Sequence, residues 1–404
     1  MSEIIRVIQY GLGPIGLATA RLIDERDTLE LVGAVDIDPA KIGKDVGALL
    51  GRDRGLGIEV AGKLAEVGAA ADVVVHTTNS YFDLFMDQVL EILEAGFDIV
   101  STSEELSFPW TDNPEQASRV DTVAKKAGKT VLGTGVNPGF LMDSLPLFVT
   151  SIAQRVDHIE VTRVINASKR RGPFQAKIGS GMSVDDFRAK MAEGRMGHVG
   201  LPESTAMLFD TLGKKLVRFE DSVEPVVADA PVKTDFFDVQ PGQVRGLHQS
   251  GHAFTEEGEF VSLTFRAALD EAPDGDTITI TGHPDLTVKL QGTNGDLATV
   301  AMAAEKAQSF WDPNYVVSAE NALAIEEAAP DRPAIVQGLP DPAQRREWTY
   351  EELYRESLRT ARAIRSRFEP GERVAISPST PGQARIAIVS SASAASMSSR
   401  STAA

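Results

Sequence analysis

Two adjacent carboxylates, Glu104 and Glu105, stand in Ser101-Thr102-Ser103-Glu104-Glu105-Leu106-Ser107-Phe108-Pro109-Trp110, just after a short apolar run at 98–101. A carboxylate delivered by the end of a buried strand can serve as a general base. The same spacing also suits a capping box, at Ser101-x-x-Glu104 and at Thr102-x-x-Glu105. Pro109 leaves little helix to cap. On local pattern, catalysis and capping weigh evenly. Downstream, Gly133-Thr134-Gly135-Val136-Asn137-Pro138-Gly139-Phe140 suits close backbone approach to a flat ring, or else a plain interdomain turn. Lys169, Arg170 and Arg171 place three cations in a row. Such a run can hold a substrate carboxylate, although a solvated loop is the ordinary use of a charge run. His198, His248 and His252 are potential pocket residues. The His248/His252 spacing would suit a metal on a helix, but Ser250-Gly251 between them argues against a helix, so no metal site is expected.

The element that must position these groups opens the chain. Residues 4–10 (IIRVIQY) read as a buried strand, followed by Gly11-Leu12-Gly13-Pro14-Ile15-Gly16 and a helical run. Strand, G-x-G-x-x-G and helix in succession form a dinucleotide-binding turn. Gly11 permits the tight turn, Gly13 lets backbone approach a pyrophosphate, and Gly16 lets helix and strand pack closely. Asp36 ends the second strand, where an acidic side chain can accept hydrogen bonds from a ribose 2′-hydroxyl and repel a 2′-phosphate. This favours NAD over NADP, a preference that Lys41 and Lys44 soften. Asp36 also suits a turn cap ahead of Asp38-Pro39. Thr77 and Thr78 follow the next core strand and suit either a cofactor edge or ordinary loop chemistry.

The chain has 404 residues, 42% hydrophobic and 24% charged, with a formal net charge of -18 and no cysteine. An acidic surface repels phosphate backbones, so no nucleic-acid partner is expected. Without thiols there is no disulfide or thiolate chemistry. No apolar run reaches the roughly 20 residues of a membrane span, and no signal pattern opens the chain. The expected setting is soluble and cytoplasmic.

Strands alternate with helices through residues 1–145, which predicts an α/β, Rossmann-type doubly wound parallel sheet. From 146 to 303 the pattern changes. Residues 156–165, 260–268, 277–281 and 287–290 alternate apolar and polar, as a sheet with one solvated face does. Residues 185–193 and 205–212 read as helices. An α+β substrate domain is expected there. Residues 304–376 form a third region with a helical pattern at 350–368, and 377–404 is a Ser/Ala-rich tail that reads as disordered.

Together GLGPIG, AVDIDPAKIGKDVG, STSEELSFPW, GTGVNPGF, SKRRGPFQ and GHVGLPES resemble the 2,4-diaminopentanoate dehydrogenases, from about residue 3 to about 303. That family is related to native amine dehydrogenases and shares the N-terminal fold of dihydrodipicolinate reductase. The resemblance implies NAD(P)-dependent oxidative deamination of a primary amine, reversible as reductive amination. It places the catalytic glutamate at Glu104 first and Glu105 second, and the nicotinamide-side loop at Asn137-Pro138-Gly139. A substrate carboxylate then falls to Lys169-Arg171, and a homodimer is expected by analogy. From Ala304 the chain departs from the family's closing helix and return segment. Residues 329–336, 348–353 and 370–376 instead resemble the N-terminal edge of AMP-forming acyl-CoA synthetases, without that family's phosphate loop or catalytic lysine. No ligase activity is expected. A dinucleotide-binding protein impaired by its altered terminus is the alternative to an active enzyme.

Overall fold

The computed structural model describes residues 4–193, 196–311 and four short strands beyond them. Its first domain alternates β1 (Ile5–Tyr10), α1 (Pro14–Asp24), β2 (Leu29–Val35), α2 (Val46–Leu49), β3 (Val60–Ala61), β4 (Val73–His76), α3 (Phe82–Glu94), β5 (Asp98–Ser101), α4 (Pro114–Ala127) and β6 (Val131–Gly133). All pairings are parallel and the order is β3-β2-β1-β4-β5-β6. That is the doubly wound order with its switch point between β1 and β4. The strands read as continuous apolar runs because helices cover both faces. One core layer gathers Val7, Leu31, Val73, Val75 and Val100, and the other gathers Ile8, Val74, Phe85 and Ile99. Pro14 opens α1 with φ already suited to a helix. Gly128, at φ 63°, closes α4 in the left-handed conformation.

After α5 (Ser144–Thr150) the second domain runs β7 (Arg155–Asn166), α6 (Gly172–Lys177), α7 (Val184–Ala192), α8 (Leu201–Thr211), β8 (Arg218–Val227), β9 (Val232–Lys233), β10 (Asp238–Val239), β11 (Val244–Thr255), β12 (Gly258–Ala268), β13 (Gly275–His283) and β14 (Leu286–Leu290). Its large sheet is mixed, in the order β14-β13-β7-β12-β11-β8, with only β7 and β12 parallel. Ile159, Val161, Leu263, Phe265, Leu247 and Ile278 turn one face inward against the helices. The strands expected at 156–165, 260–268, 277–281 and 287–290 are all present. Strands β8 and β11 were not expected. Their polar faces, with Ser222 against Ser250 and His252 against Glu259, dilute the apolar signal.

The expected break at residue 304 does not occur in the fold. Helix α9 (Gly295–Trp311) crosses it without interruption. Ala303, Ala304 and Ala307 are fully buried in the core layer shared with Ala20, Ile23 and Val73. Arg26, just past α1, donates to Glu305 and Gln308, each at 3.1 Å. A helix therefore packs on this core across residue 304. Small side chains hid it: an Ala-rich stripe packs closely but gives little periodic signal.

Beyond Trp311, β15 (Pro333–Val336) pairs antiparallel with β16 (Glu347–Thr349), and β17 (Arg373–Pro378) with β18 (Ala384–Val389). The last ladder lies partly within the stretch expected to be disordered from 377. Its Ile386 and Ile388 sit opposite Ile376 and Val374, an alternation the Ser/Ala composition masked. The helix expected at 350–368 falls outside the described residues. No described helix is long and apolar enough to cross a membrane.

A charge placed on the α9 stripe tests its role. Ala307→Glu buries an unpaired carboxylate and is expected to lower stability by about 3 kcal/mol or more. Urea unfolding that leaves the midpoint unchanged would show that α9 does not seal this core.

Candidate active site

The glycine turn is held from beneath. Gln9 is fully buried, and its Nε2 donates to the Gly11 carbonyl at 3.0 Å and to Thr77 Oγ1 at 2.8 Å. Thr77 Oγ1 also donates to the Gly11 carbonyl. Gly11 has φ 90°, and a Cβ there would meet the Thr77 backbone oxygen at 2.7 Å. A Cβ at Gly16 would overlap the Gly11 carbonyl. Gly13 is the contrast: nothing lies within 4 Å of its Cβ position. The turn is thus closed on the protein side and open on the side where a pyrophosphate would meet the N-terminus of α1. Thr77 supports the turn from within, whereas Thr78 is exposed and bonds His76 and Gln88.

Asp36 is 8% exposed, and Leu12, Asp38 and Lys41 all donate to its carboxylate. Burial pushes its pKa up. The Asp38 and Leu12 N–H groups and then Lys41 outweigh this and hold it below the ordinary value. With three of about four lone-pair positions used, one remains for a ribose hydroxyl. These residues fit an adenine dinucleotide. Pro14 and Ile15 open α1 beside the free space at Gly13.

The two glutamates part company in the structure. Glu104–Leu106 form a 3-10 turn after β5. Neither expected capping box forms. Ser101 instead bonds His76 Nδ1 at 2.9 Å and accepts the Ser103 N–H. Glu105 caps a different helix: its Oε2 accepts the Phe82 N–H, the first of α3, at 2.6 Å. Burial raises the Glu105 pKa against that bond, with Asp83, Asp112 and Glu104 adding to the rise. Glu104 is half-buried and has no side-chain hydrogen bond or ion pair among the described residues. The turn is pressed against β6, since a Cβ at Gly133 would meet the Leu106 carbonyl carbon at 2.6 Å.

Beyond β6, Asn137, Pro138 and Gly139 are all buried. Asp143, fully buried, accepts the Gly139 N–H and the Ser204 hydroxyl, each at 2.8 Å, through the same oxygen. Gly200, at φ 114°, caps α8 with its α-carbon against the Pro138 ring. The first turn of α8 is thereby fixed on the Asn137–Gly139 loop. Asn137 Nδ2 lies 2.6 Å from His198 Nε2, and the His198 ring stacks on Phe265 at 4.5 Å. Desolvation, then Arg163 and Lys177, push the His198 pKa down to about 3, so the ring is a neutral acceptor. Gln249 of β11, which sequence reasoning missed, clasps the His198 N–H and carbonyl together.

Two cations of the basic run are paired. Arg170 pairs with Asp296 at 2.9 Å and lies over the Phe174 ring, Arg171 reaches the same Asp296, and Lys169 is exposed. The cation near His198 is Arg163 of β7, 2% exposed and 3.4 Å from Asp276, with its Nε lacking a hydrogen-bond partner. It lay unremarked in an alternating strand. His248 is on the face of β11 opposite Gln249, across from Arg266 and Glu224, so the structure does not bring it to His198. Among the described residues no group could hold a metal ion.

A third missed residue is Glu203 in α8. It is 5% exposed, and its Oε2 is buried with no hydrogen-bond partner among the described residues. Burial raises its pKa to about 8 against its own backbone N–H, and Asp112, Glu105 and Glu104 add to the rise. The only sequence signal was a lone charge among the uncharged residues that open α8, at 201–209. A cleft of about 550 Å³ opens between the loop at Phe108–Thr111 and α8 at Ala206, Phe209 and Asp210.

Two buried groups give stability opposite pH limbs. Burial holds fully buried His76 down at about 4 from 6.5, against the Gln88 bond. Its contribution is present above pH 6.5 and is lost as pH falls through about 4. Glu203, raised from 4.5 to about 8, behaves oppositely. Its contribution is complete below about 4.5 and is lost as pH rises through about 8. Urea midpoints from pH 4 to 9 should show the acid limb flattened in His76→Gln and the alkaline limb flattened in Glu203→Gln. Each group supplies at most about 1.4 kcal/mol per pH unit. Parallel profiles in wild type and variants would contradict the assignment.

Known proteins carry the same two-part organisation. Residues 5–130 match the dihydrodipicolinate reductase N-terminus, and residues 140–327 match the 2,4-diaminopentanoate dehydrogenase C-terminal domain. The chain is 30% identical over 311 residues to 2,4-diaminopentanoate dehydrogenase of Acetoanaerobium sticklandii, covering 74% of this chain and 88% of that protein. It is 26% identical over 360 residues to an amine dehydrogenase of Streptomyces virginiae, covering 82% and 98%. The amine dehydrogenase structure from Mycobacterium smegmatis shares the fold, with a TM-score of 0.68 at 24% identity over 78% of this chain and 93% of that one. With its NAD(P)-binding Rossmann domain and its matched second domain, the chain belongs to the 2,4-diaminopentanoate dehydrogenase family.

Proposed function

We propose that this protein catalyses NAD(P)-dependent oxidative deamination of a primary amine, reversible as reductive amination, with 2,4-diaminopentanoate or a related amine as substrate. The observation that carries the reading is the split between the two glutamates. Glu105 is spent on the α3 N-terminus, while Glu104 stands half-buried and uncommitted on the same turn. The names of the two curated relatives support the substrate class.

The chemistry asks for one base used twice. A free alkylammonium titrates near 10, like a lysine, and its carbon releases hydride only once the nitrogen is neutral. Glu104 takes that proton and releases it to solvent, then takes one from the water that attacks the imine carbon and passes it to the departing nitrogen. Asn137-Pro138-Gly139 would hold the nicotinamide, which would supply the hydride acceptor. The net change converts alkylammonium, water and oxidised cofactor into ketone, ammonium, reduced cofactor and one proton. Neutral His198 and Asn137 fix that loop. Buried Arg163, whose charge acts on His198, would meet a substrate carboxylate together with its neighbour Arg170 of the run Lys169–Arg171. Gly11 to Gly16 would hold the pyrophosphate, and Asp36 would tilt the choice toward NAD. Lys41, 3.1 Å from Asp36, offsets part of that charge and keeps NADP within reach.

The full chain should form reduced cofactor with 2,4-diaminopentanoate or with members of an amine panel. Glu104→Gln should lower kcat by roughly 10²- to 10⁴-fold. Glu105→Gln should mainly lower the thermal midpoint through the lost cap, worth about 1 kcal/mol. Wild-type kcat in Glu104→Gln would remove it as the base. Tight NADH binding without oxidation of any amine would favour a dinucleotide-binding protein without turnover.

A further inference from the structure

We infer that Glu203 forms the floor of an ammonium-binding subsite, whose buried carboxyl receives the amino group of the substrate and, in the reverse direction, the ammonium ion itself. The assignment rests on the amine dehydrogenase reading for its place in the reaction. Its evidence lies elsewhere, in a carboxyl oxygen with no partner. Glu203 Oε2 is buried without a hydrogen-bond partner among the described residues, in a side chain 5% exposed. An unsatisfied buried carboxyl is costly to keep. The fold nevertheless fixes it in place, through Ser204 on Asp143 and Gly200 on Pro138.

Helix geometry sets Glu203 next to the residues that line the cleft. Residues 203, 206 and 210 share one face of α8 at i, i+3 and i+7. Ala206 and Asp210 line the cleft, and Phe108 and Trp110, on the loop that carries Glu104, line its other side. Glu203 lies one turn closer than Ala206 to the N-terminus of α8, which packs on the Asn137–Gly139 loop. The charges that act on it are Asp112, Glu105 and Glu104, all acidic. An occupant that lowers the energy of this arrangement is a cation.

The cation is defined by what the site lacks. No group of described residues could hold a metal ion, and a bare metal ion asks for several oxygen ligands around it. Glu203 offers one unpartnered oxygen, which suits a directed N–H donor. A primary ammonium group has three such donors and the ammonium ion four. One can meet Glu203 while another faces Glu104. Glu104 moves the proton, and Glu203 orients the nitrogen that gives it up. The two carboxyls therefore have separable signatures.

The test uses the full chain in the reductive direction, with NADH, a ketone substrate and varied ammonium chloride, potassium chloride holding ionic strength constant. Glu203→Gln should raise KM for ammonium about tenfold or more, leaving KM for the ketone and for NADH within about twofold. Glu203→Asp should recover part of the loss. An unchanged ammonium KM in Glu203→Gln would overturn the subsite. A direct measurement separates this from failure of the reaction assignment. With no ketone and no turnover, ammonium should raise the thermal midpoint of the wild-type protein more than potassium does, and this excess should vanish in Glu203→Gln. Equal effects of the two cations on the wild type would overturn the subsite even if the enzyme is active. A Glu203-dependent ammonium effect without turnover would uphold it and discard the reaction. If Glu203→Gln does not fold, the wild-type comparison of the two cations decides alone.

Discussion

One buried carboxylate, Asp143, governs the geometry of the reacting end. Its Oδ2 takes the Gly139 N–H from the loop after β6 and the Ser204 hydroxyl from α8. The first belongs to the dinucleotide domain's edge and the second to the substrate domain. A fully buried carboxylate without such donors would be expensive to keep, so each domain supplies what the other's placement requires. Asn137 against His198, Pro138 against Gly200 and the seat of Glu203 all follow from this junction.

A second set of constraints comes from backbone packed on backbone. The Gly11 carbonyl lies against Gly16, and the Leu106 backbone against Gly133. These contacts leave no room for a side chain, so they transmit position without slack. The turn that presents Glu104 is thereby held relative to β6, and the phosphate turn relative to β4 through Thr77 and Gln9. Rigid framing of this kind keeps a base within reach of its proton. Charge is arranged around the same frame in two poles. Glu104, Glu105, Asp112 and Glu203 stand on one side, and Arg163, Arg170 and Lys177 on the other, with the neutral His198–Asn137 pair beside the basic pole.

Much of this was legible from residue order alone. The parallel sheet, the G-x-G-x-x-G turn and Asp36 are local signals: buried strands read as apolar runs, and glycine spacing reports backbone conformation. What the sequence hid was partnership. Nothing near Glu105 announces that it caps a helix beginning at Phe82. Nothing near Arg170 reveals Asp296, more than a hundred residues on. Arg163 and Glu203 look like ordinary charges until burial removes their water. Helix α9 escaped because alanine packs well without marking a face. In each case a tertiary contact decided the role, and no local pattern encodes it.

The seam closed by Ala303, Ala304 and Ala307 has a consequence for synthesis. The first domain ends its last strand at Gly133, yet a wall of its core arrives only with α9. On a ribosome adding about 5–20 residues per second, that leaves an interval of roughly ten to thirty seconds. During it, the surface around Ala20 and Ile23 stands uncovered. The nascent chain must pass through this window with its nucleotide fold assembled but unsealed, and that exposed strip is where a chaperone would find it.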